Sequence, residues 1–318
     1  MIAFGILLLA QDAVPWRTDL QEAKAQSCRE KKLLLVQFFV AGRPASQAME
    51  EETFRHPSVV RELREQFVSV RVEGTAQAGL FRDTVGGGSG LASAILDETG
   101  DAVSVLPGYA GREAFLGFLS KAIQGRERLR EAREGALAKP EDLAALHAMA
   151  ETYHELGSLR RAEESFGRIV ARGEDRAPSS GEIRWVAFAR ERLARLRIQR
   201  GKNREAREHL REYLRLDPDN RFGRHDRILF TEALVLAVER RLKESIHQVE
   251  AALARFPSAA EADQMLLLMG WVEHEDGNDA RALSILEGVL ARYPDSPWLG
   301  LARERIAHIK NPPPDHSH

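Results

Sequence analysis

Cysteine is nearly missing from this sequence: Cys28 stands alone among 318 residues. One thiol cannot close an internal disulfide, nor can it resolve a mixed disulfide as a second thiol would. An excess of one charge is missing too. The 46 Lys and Arg against 48 Asp and Glu leave a formal charge of -2, so no global field would hold nucleic acid or an anionic membrane. Long apolar runs are also lacking. The stretch Ile2 to Ala10 has the length of a signal-peptide core and falls well short of the ~20 residues that cross a bilayer. No Lys or Arg precedes it, and Leu8-Leu9-Ala10 is an indifferent cleavage site. Residues 1–13 are therefore a candidate leader, and both export (periplasmic or secreted) and a cytoplasmic location stay open, with no transmembrane span expected. What remains is a globular composition with 30% charged residues, long enough for about two domains that each bury a core.

The stretch from Val36 to Phe54 organises the rest. Its first five residues are apolar and β-prone apart from Gln37, Gly42-Arg43-Pro44 makes a turn, and helix formers follow. The order is strand, tight loop, helix. This layout resembles the active-site segment of the thioredoxin-like superfamily, with Phe38, Met49-Glu50 and Thr53-Phe54 in register without a gap. The resemblance places Arg43 and Ser46 where the family has its two cysteines, Gln37 at its buried Asp, Gly42 at its Trp, and Leu91 at its cis-Pro. A dithiol reductase needs a low-pKa thiolate at the helix N-terminus and a second thiol one turn on. Arg43 cannot attack a disulfide, and the Ser46 hydroxyl is a negligible nucleophile without an adjacent base. The resemblance thus implies a thioredoxin-like domain over 14–123 with no thiol redox activity and no catalytic residue.

Within that domain, Trp16 to Lys32 is predicted as a helix burying Leu20, Ala23, Ser27 and Cys28. Cys28 is read as a small buried hydrophobe, against the alternative of a reactive thiol beside Arg29, Lys31 and Lys32. Leu33 to Val40 is continuous enough for a strand covered on both faces. Pro44 to Gln66 is helix broken at His56-Pro57. Phe67 to Val72 alternates as a strand with one buried face, a short helix lies around Leu80-Phe81, and Leu91 to Leu96 and Ala102 to Leu106 are strands joined by the turn Glu98-Thr99-Gly100-Asp101. A last helix starts near Gly111 with Phe115, Phe118 and Leu119 inward. The run Gly86 to Gly90 has no Lys-Ser/Thr after it and reads as a loop, not a phosphate cradle.

From residue 124 to 140, Arg alternates with Glu as in a solvated helix, which continues the preceding one until Pro140. Residues 141–310 repeat. Leu146, Met149-Ala150, Tyr153, Gly157, Ala162, Phe166 and Ile169 resemble the tetratricopeptide consensus. The signature returns around Leu193-Ala194 and Gly201, more weakly around Leu229 and Ala233, and again around Met269-Gly270 and Gly277. The residues around Asp175 to Ser180 are an inserted loop, Trp298 to Ile309 is a capping helix, and 311–318 is a disordered tail. The expected fold class is an α/β thioredoxin-like domain followed by an all-α tetratricopeptide-repeat solenoid.

Such repeats imply a groove lined by the first helix of each pair. By repeat position it holds His147, Glu151 and His154, then Glu191 and Arg195, Phe230 and Leu234, and Trp271 and His274. The set does not resemble the Lys- and Asn-rich clamp by which some family members hold an acidic C-terminal peptide, so that ligand is not expected. His147, Glu151 and His154 have the spacing for a shared cation, yet zinc needs three or four ligands and polar groove residues are the plainer reading. His316 and His318 fall in the tail. No metal or cofactor is expected. The reading is a non-enzymatic interaction protein, a scaffold or chaperone-like adaptor that binds a protein or peptide in the repeat groove. Two alternatives are a thiol-dependent oxidoreductase or peroxidase-type activity on Cys28 alone and a cell-envelope scaffold.

Overall fold

The computed structural model describes residues 13–85, 90–97, 100, 102–175 and 179–311. The leader up to residue 12, Gly86 to Ser89, Glu98, Thr99 and Asp101 of the predicted turn, residues 176–178 of the inserted loop, and the tail from 312 with His316 and His318 lie outside the described residues. The chain divides into two compact units, one up to residue 169 and one from residue 170.

The first unit is built on a sheet of four strands. β1 (Leu33–Phe39) pairs in parallel with β2 (Phe67–Glu73) and antiparallel with β3 (Ala92–Leu96), which pairs antiparallel with β4 (Ala102–Pro107), giving the order β2-β1-β3-β4. Every β1 residue from Leu33 to Phe38 is buried, as its continuous apolar run requires. Helix α1 (Leu20–Glu30) and helix α4 (Ala78–Val85) contribute Ala23 and Phe81 to a core with Leu34, Val36, Phe38, Val70 and Ala94. Between β1 and β2 lie α2 (Pro44–Ala48), a π-helical turn (Met49–Phe54) and α3 (Pro57–Gln66). Edge-to-face rings run from Trp16 to Phe54 to Phe115 at centroid distances of 4.9 and 5.2 Å.

Two sequence expectations change here. Strand β2 buries Phe67, Val68, Ser69 and Val70 in succession, not one alternating face. Helices α1 and α3 both pack against it, and along its edge Arg17 bridges to Val70, its amide donating to the Ser69 carbonyl at 2.8 Å. Helix α1 is shorter than predicted, starting after Asp19, whose carboxylate accepts the amides of Gln21 and Glu22. In that phase Ser27 is buried and donates to the Lys32 carbonyl at 2.6 Å, whereas Cys28 is exposed. One residue is about 100° of helix rotation, enough to carry the thiol from core to solvent.

Helix α5 (Arg112–Ala138) is a single helix of 27 residues, so the charge-laced segment does continue the last thioredoxin-like helix. It is not simply solvated. Gly125, Leu129 and Ala136 are buried, and α5 packs on α6 (Leu143–Glu155), which opens the first repeat pair with α7 (Leu159–Asp175). A side chain at Gly125 would collide with Leu156. Arg133 donates to the Asp97 carboxylate at the end of β3 and, at 2.8 Å, to the Tyr153 hydroxyl on α6. Ser158, just ahead of α7, donates to the Ala102 carbonyl on β4.

The second unit continues with α8 (Ile183–Gln199) and α9 (Asn203–Leu216), α10 (His225–Val238) and α11 (Leu242–Arg255), α12 (Ala262–Glu275) and α13 (Asp279–Arg292), and a final α14 (Leu299–Lys310). Ala302 and Ile309 of α14 cover Leu286 and Val289, as a capping helix must. Each pair turns at a residue with positive φ in the same place: Gly157 (82°), Gly201 (69°), Arg240 (60°) and Gly277 (83°). The third copy is faint in the sequence partly because Arg240 stands where the others have glycine.

Candidate functional site

Four of the five positions that depart from the thioredoxin pattern meet around one cavity of about 210 Å³. Gln37, Gly42, Ser46 and Leu91 line it with Phe39, Val40, Met49, Phe54, Glu50 and Arg71, and Arg43 does not. β1 delivers Gln37 and Phe39, Gly42 reverses the chain at φ 74°, and Pro44 opens the helix that carries Ser46. The substituted side chains are bound into the frame. Gln37 donates to the Phe38 carbonyl at 2.9 Å and accepts from Ser93 at 2.5 Å, which satisfies a buried amide. Ser46 Oγ accepts the Val40 amide at 3.0 Å at the end of β1. Leu91 is buried and follows a trans peptide; no cis bond occurs among the described residues.

Sequence reasoning missed the cavity's charged wall. Arg71 on β2 pairs with Glu50 and lies 4.3 Å over the Trp16 ring, and burial holds its pKa below the usual arginine range. The available signal was an Arg between two valines in a mostly apolar strand. No cysteine or histidine lines this cavity.

The residues expected in the groove divide into surface and core. In the first unit His147 is buried edge-on to Phe166 at 5.7 Å, with Nε2 3.5 Å from Glu151, while Glu151 and His154 are half-buried. No group of three or more His, Cys, Asp or Glu among the described residues is placed to hold a metal ion. In the second unit Glu191, Phe230 and His274 are buried. For Glu191 and Phe230 the cover comes from packing of α8 against α10 as well as against its own partner helix. Arg195, Leu234 and Trp271 keep some exposure. Trp271 and His274 meet at 5.3 Å beneath Arg305, which lies 4.6 Å over the indole, and His274 Nδ1 is 2.6 Å from Asp279.

Around Glu191 the structure assembles an ionic network invisible in any motif. Its carboxylate lies 2.8 Å from Arg224, 3.3 Å from Arg227 and 3.5 Å from Arg195. Arg195 also grips Glu261 through both terminal nitrogens at 3.2 and 2.5 Å, and Arg227 reaches the same carboxylate at 3.1 Å. Burial pushes the Glu191 carboxyl up, but Arg227, Arg195, Arg192 and Arg224 outweigh it and hold the pKa below the usual range. Apart from Arg195 and Glu191, one helical turn apart, the partners are 33 to 66 residues apart in sequence, so no local spacing announces them.

Comparison with known proteins agrees with this architecture. A thioredoxin-like family model matches residues 15–90, and a tetratricopeptide-repeat model matches residues 230–297. No curated protein matches the chain. Among solved structures, a thermophilic tetratricopeptide-repeat protein of Thermus thermophilus is 20% identical over 57% of this chain and 88% of its own, with a TM-score of 0.41. BtubC from P. vanneervenii is 16% identical over 60% of this chain and 82% of its own, with a TM-score of 0.45. No helix among the described residues is long and apolar enough to cross a membrane. The chain is a thioredoxin-like domain followed by tetratricopeptide repeats, an architecture of protein–protein interaction.

Proposed function

We propose that the protein is a non-enzymatic adaptor: a thioredoxin-like domain without thiol redox activity, carrying repeats whose exposed first-helix residues hold a protein or peptide. The observation that supports it most is Ser46. At the second cysteine's place it offers a hydroxyl already bound to the Val40 amide, and at the first place Arg43 brings a cation. Reduction of a disulfide-bonded model protein by dithiothreitol, followed by turbidity, tests the redox half. The full chain should match its Cys28→Ser variant and the blank, and a clear excess over that variant refutes the reading. Binding to a peptide array tests the adaptor half. A subset of peptides should bind, more weakly with Leu234→Ser and Trp271→Ala, with circular dichroism checking that both variants fold; uniform failure to bind counts against it.

The exposure of Cys28 on α1 supports a second reading, a thiol-dependent activity on this one cysteine. Labelling of the native thiol by a reagent no faster than that of a free cysteine peptide, with no peroxide consumption, removes it.

A further inference from the structure

The chain as a whole is almost neutral, but its charge is unevenly placed. Residues 182–227, from the approach to α8 through the first turn of α10, hold fourteen Arg or Lys against eight Asp or Glu. The excess is felt inside the fold: burial, together with Arg190 and Arg197, pushes the pKa of His209 on α9 down to about 4. It is concentrated where α8, α10 and the start of α12 come together, in the network of Arg195, Arg224 and Arg227 with Glu191 and Glu261.

That network is incomplete in charge and in hydrogen bonds. Three guanidiniums bring roughly fifteen N–H donors, and two carboxylates about eight acceptor positions, to which Thr231 Oγ1 adds one by accepting from Arg195 at 3.2 Å. Glu191 is fully buried and turned inward, while the arginines keep about a fifth of their side chains exposed: 19% for Arg195, 23% for Arg224 and 21% for Arg227. Aromatic faces stiffen two of them, since Arg224 lies 3.5 Å over Phe188 and Arg195 5.6 Å over Phe230. Planar cations fixed in this way are suited to bidentate recognition of carboxylate.

We infer that the face shared by α8 and α10 takes an acidic segment of a partner protein, whose side-chain carboxylates complete the network of Arg195, Arg224 and Arg227. The inference rests on the adaptor reading and names the partner's chemistry. Glu261 acts as an internal competitor: it occupies guanidinium donors that the ligand would use.

The test uses the full chain and a fluorescent, acetylated and amidated oligoglutamate, its oligoglutamine counterpart, and a single-stranded oligonucleotide. Oligoglutamate should bind at least about tenfold more tightly than oligoglutamine, and less tightly as salt rises. Arg224→Gln should weaken it several-fold. Glu261→Gln should tighten it, a gain that mere loss of structure cannot produce; circular dichroism checks that both variants fold. Equal binding of the two peptides, no change in either variant, or tighter binding of the oligonucleotide each overturns the inference. If neutral array peptides bind and oligoglutamate does not, the inference fails and the adaptor reading stands. If no peptide binds, both fall.

Discussion

Replacing Arg133 with Ala removes the cation that joins the sheet to the first repeat pair. Asp97 is 4% exposed at its side chain and Arg133 23%, so the pair is largely desolvated. Loss of one partner from a buried pair costs about 3–5 kcal/mol, chiefly because the remaining charge is stranded. Partial exposure of Arg133 favours the lower end, and the Tyr153 hydroxyl, 2.8 Å from Arg133 Nε, loses its donor as well. A loss of about 3 kcal/mol would lower the melting temperature of a unit this size by roughly 6–12 °C. Urea unfolding followed by Trp16 fluorescence, in a background with Trp185, Trp271 and Trp298 changed to Phe, isolates the first unit. Arg133→Met combined with Asp97→Asn should recover more than half of the loss, since no charge is then left buried. A single variant within about 0.5 kcal/mol of the parent, or a double variant no better than the single one, refutes the stranded-charge account.

Three further perturbations probe other levels of the fold. Gly74→Ala would drive a Cβ into the Gly90 carbonyl, backbone against backbone, and should cost about 3 kcal/mol or prevent folding, whereas Gly79→Ala in α4 meets nothing within 4 Å and should stabilise by about 0.5–1 kcal/mol; urea titration compares them. His209 has a folded pKa depressed from 6.5 to about 4, so the unfolded state binds the extra proton across that window. Stability present above pH ~6.5 is therefore lost as pH falls toward ~4, by about 1–2 kcal/mol after allowance for solvent screening. His209→Gln should flatten this part of the pH profile of chemical unfolding. Arg240→Gly relieves a left-handed residue at φ 60° and should raise stability by about 0.5 kcal/mol in thermal scans, the gain in strain being offset in part by a freer unfolded chain.

Much of the fold was legible because it is periodic. The apolar run of β1, the Gly42-Arg43-Pro44 turn and the paired-helix signature each depend on residues near one another in sequence. The helix phase around Cys28 was less legible: Ser27 and Cys28 are both small, and only the capping by Asp19 and the hydrogen bond from Ser27 to Lys32 decide which turns inward. The repeat positions of Glu191, Phe230 and His274 were identified from the pattern, but their burial follows from how neighbouring helices close over them. Arg71, Arg224, Arg227 and Glu261 acquire meaning only through partners brought together by folding, and a sequence in which Arg and Glu alternate widely gives no hint which pairs will meet.

Helix α5 makes the connection between the sheet and the repeats a matter of phase. Phe115 lies edge-on to Phe54 with Phe118 beside it, while Leu129 and Ala136 are buried and Arg133 reaches Tyr153 of the first repeat pair, all along one uninterrupted helix. A spacer can grow by any number of residues, but a shared axle cannot: inserting one residue between Phe118 and Leu129 would swing everything beyond it by about 100°. Only insertions or deletions near whole turns would keep both ends seated. Natural variation in this stretch should therefore come in quanta of three or four residues, as in the cutting of a gear.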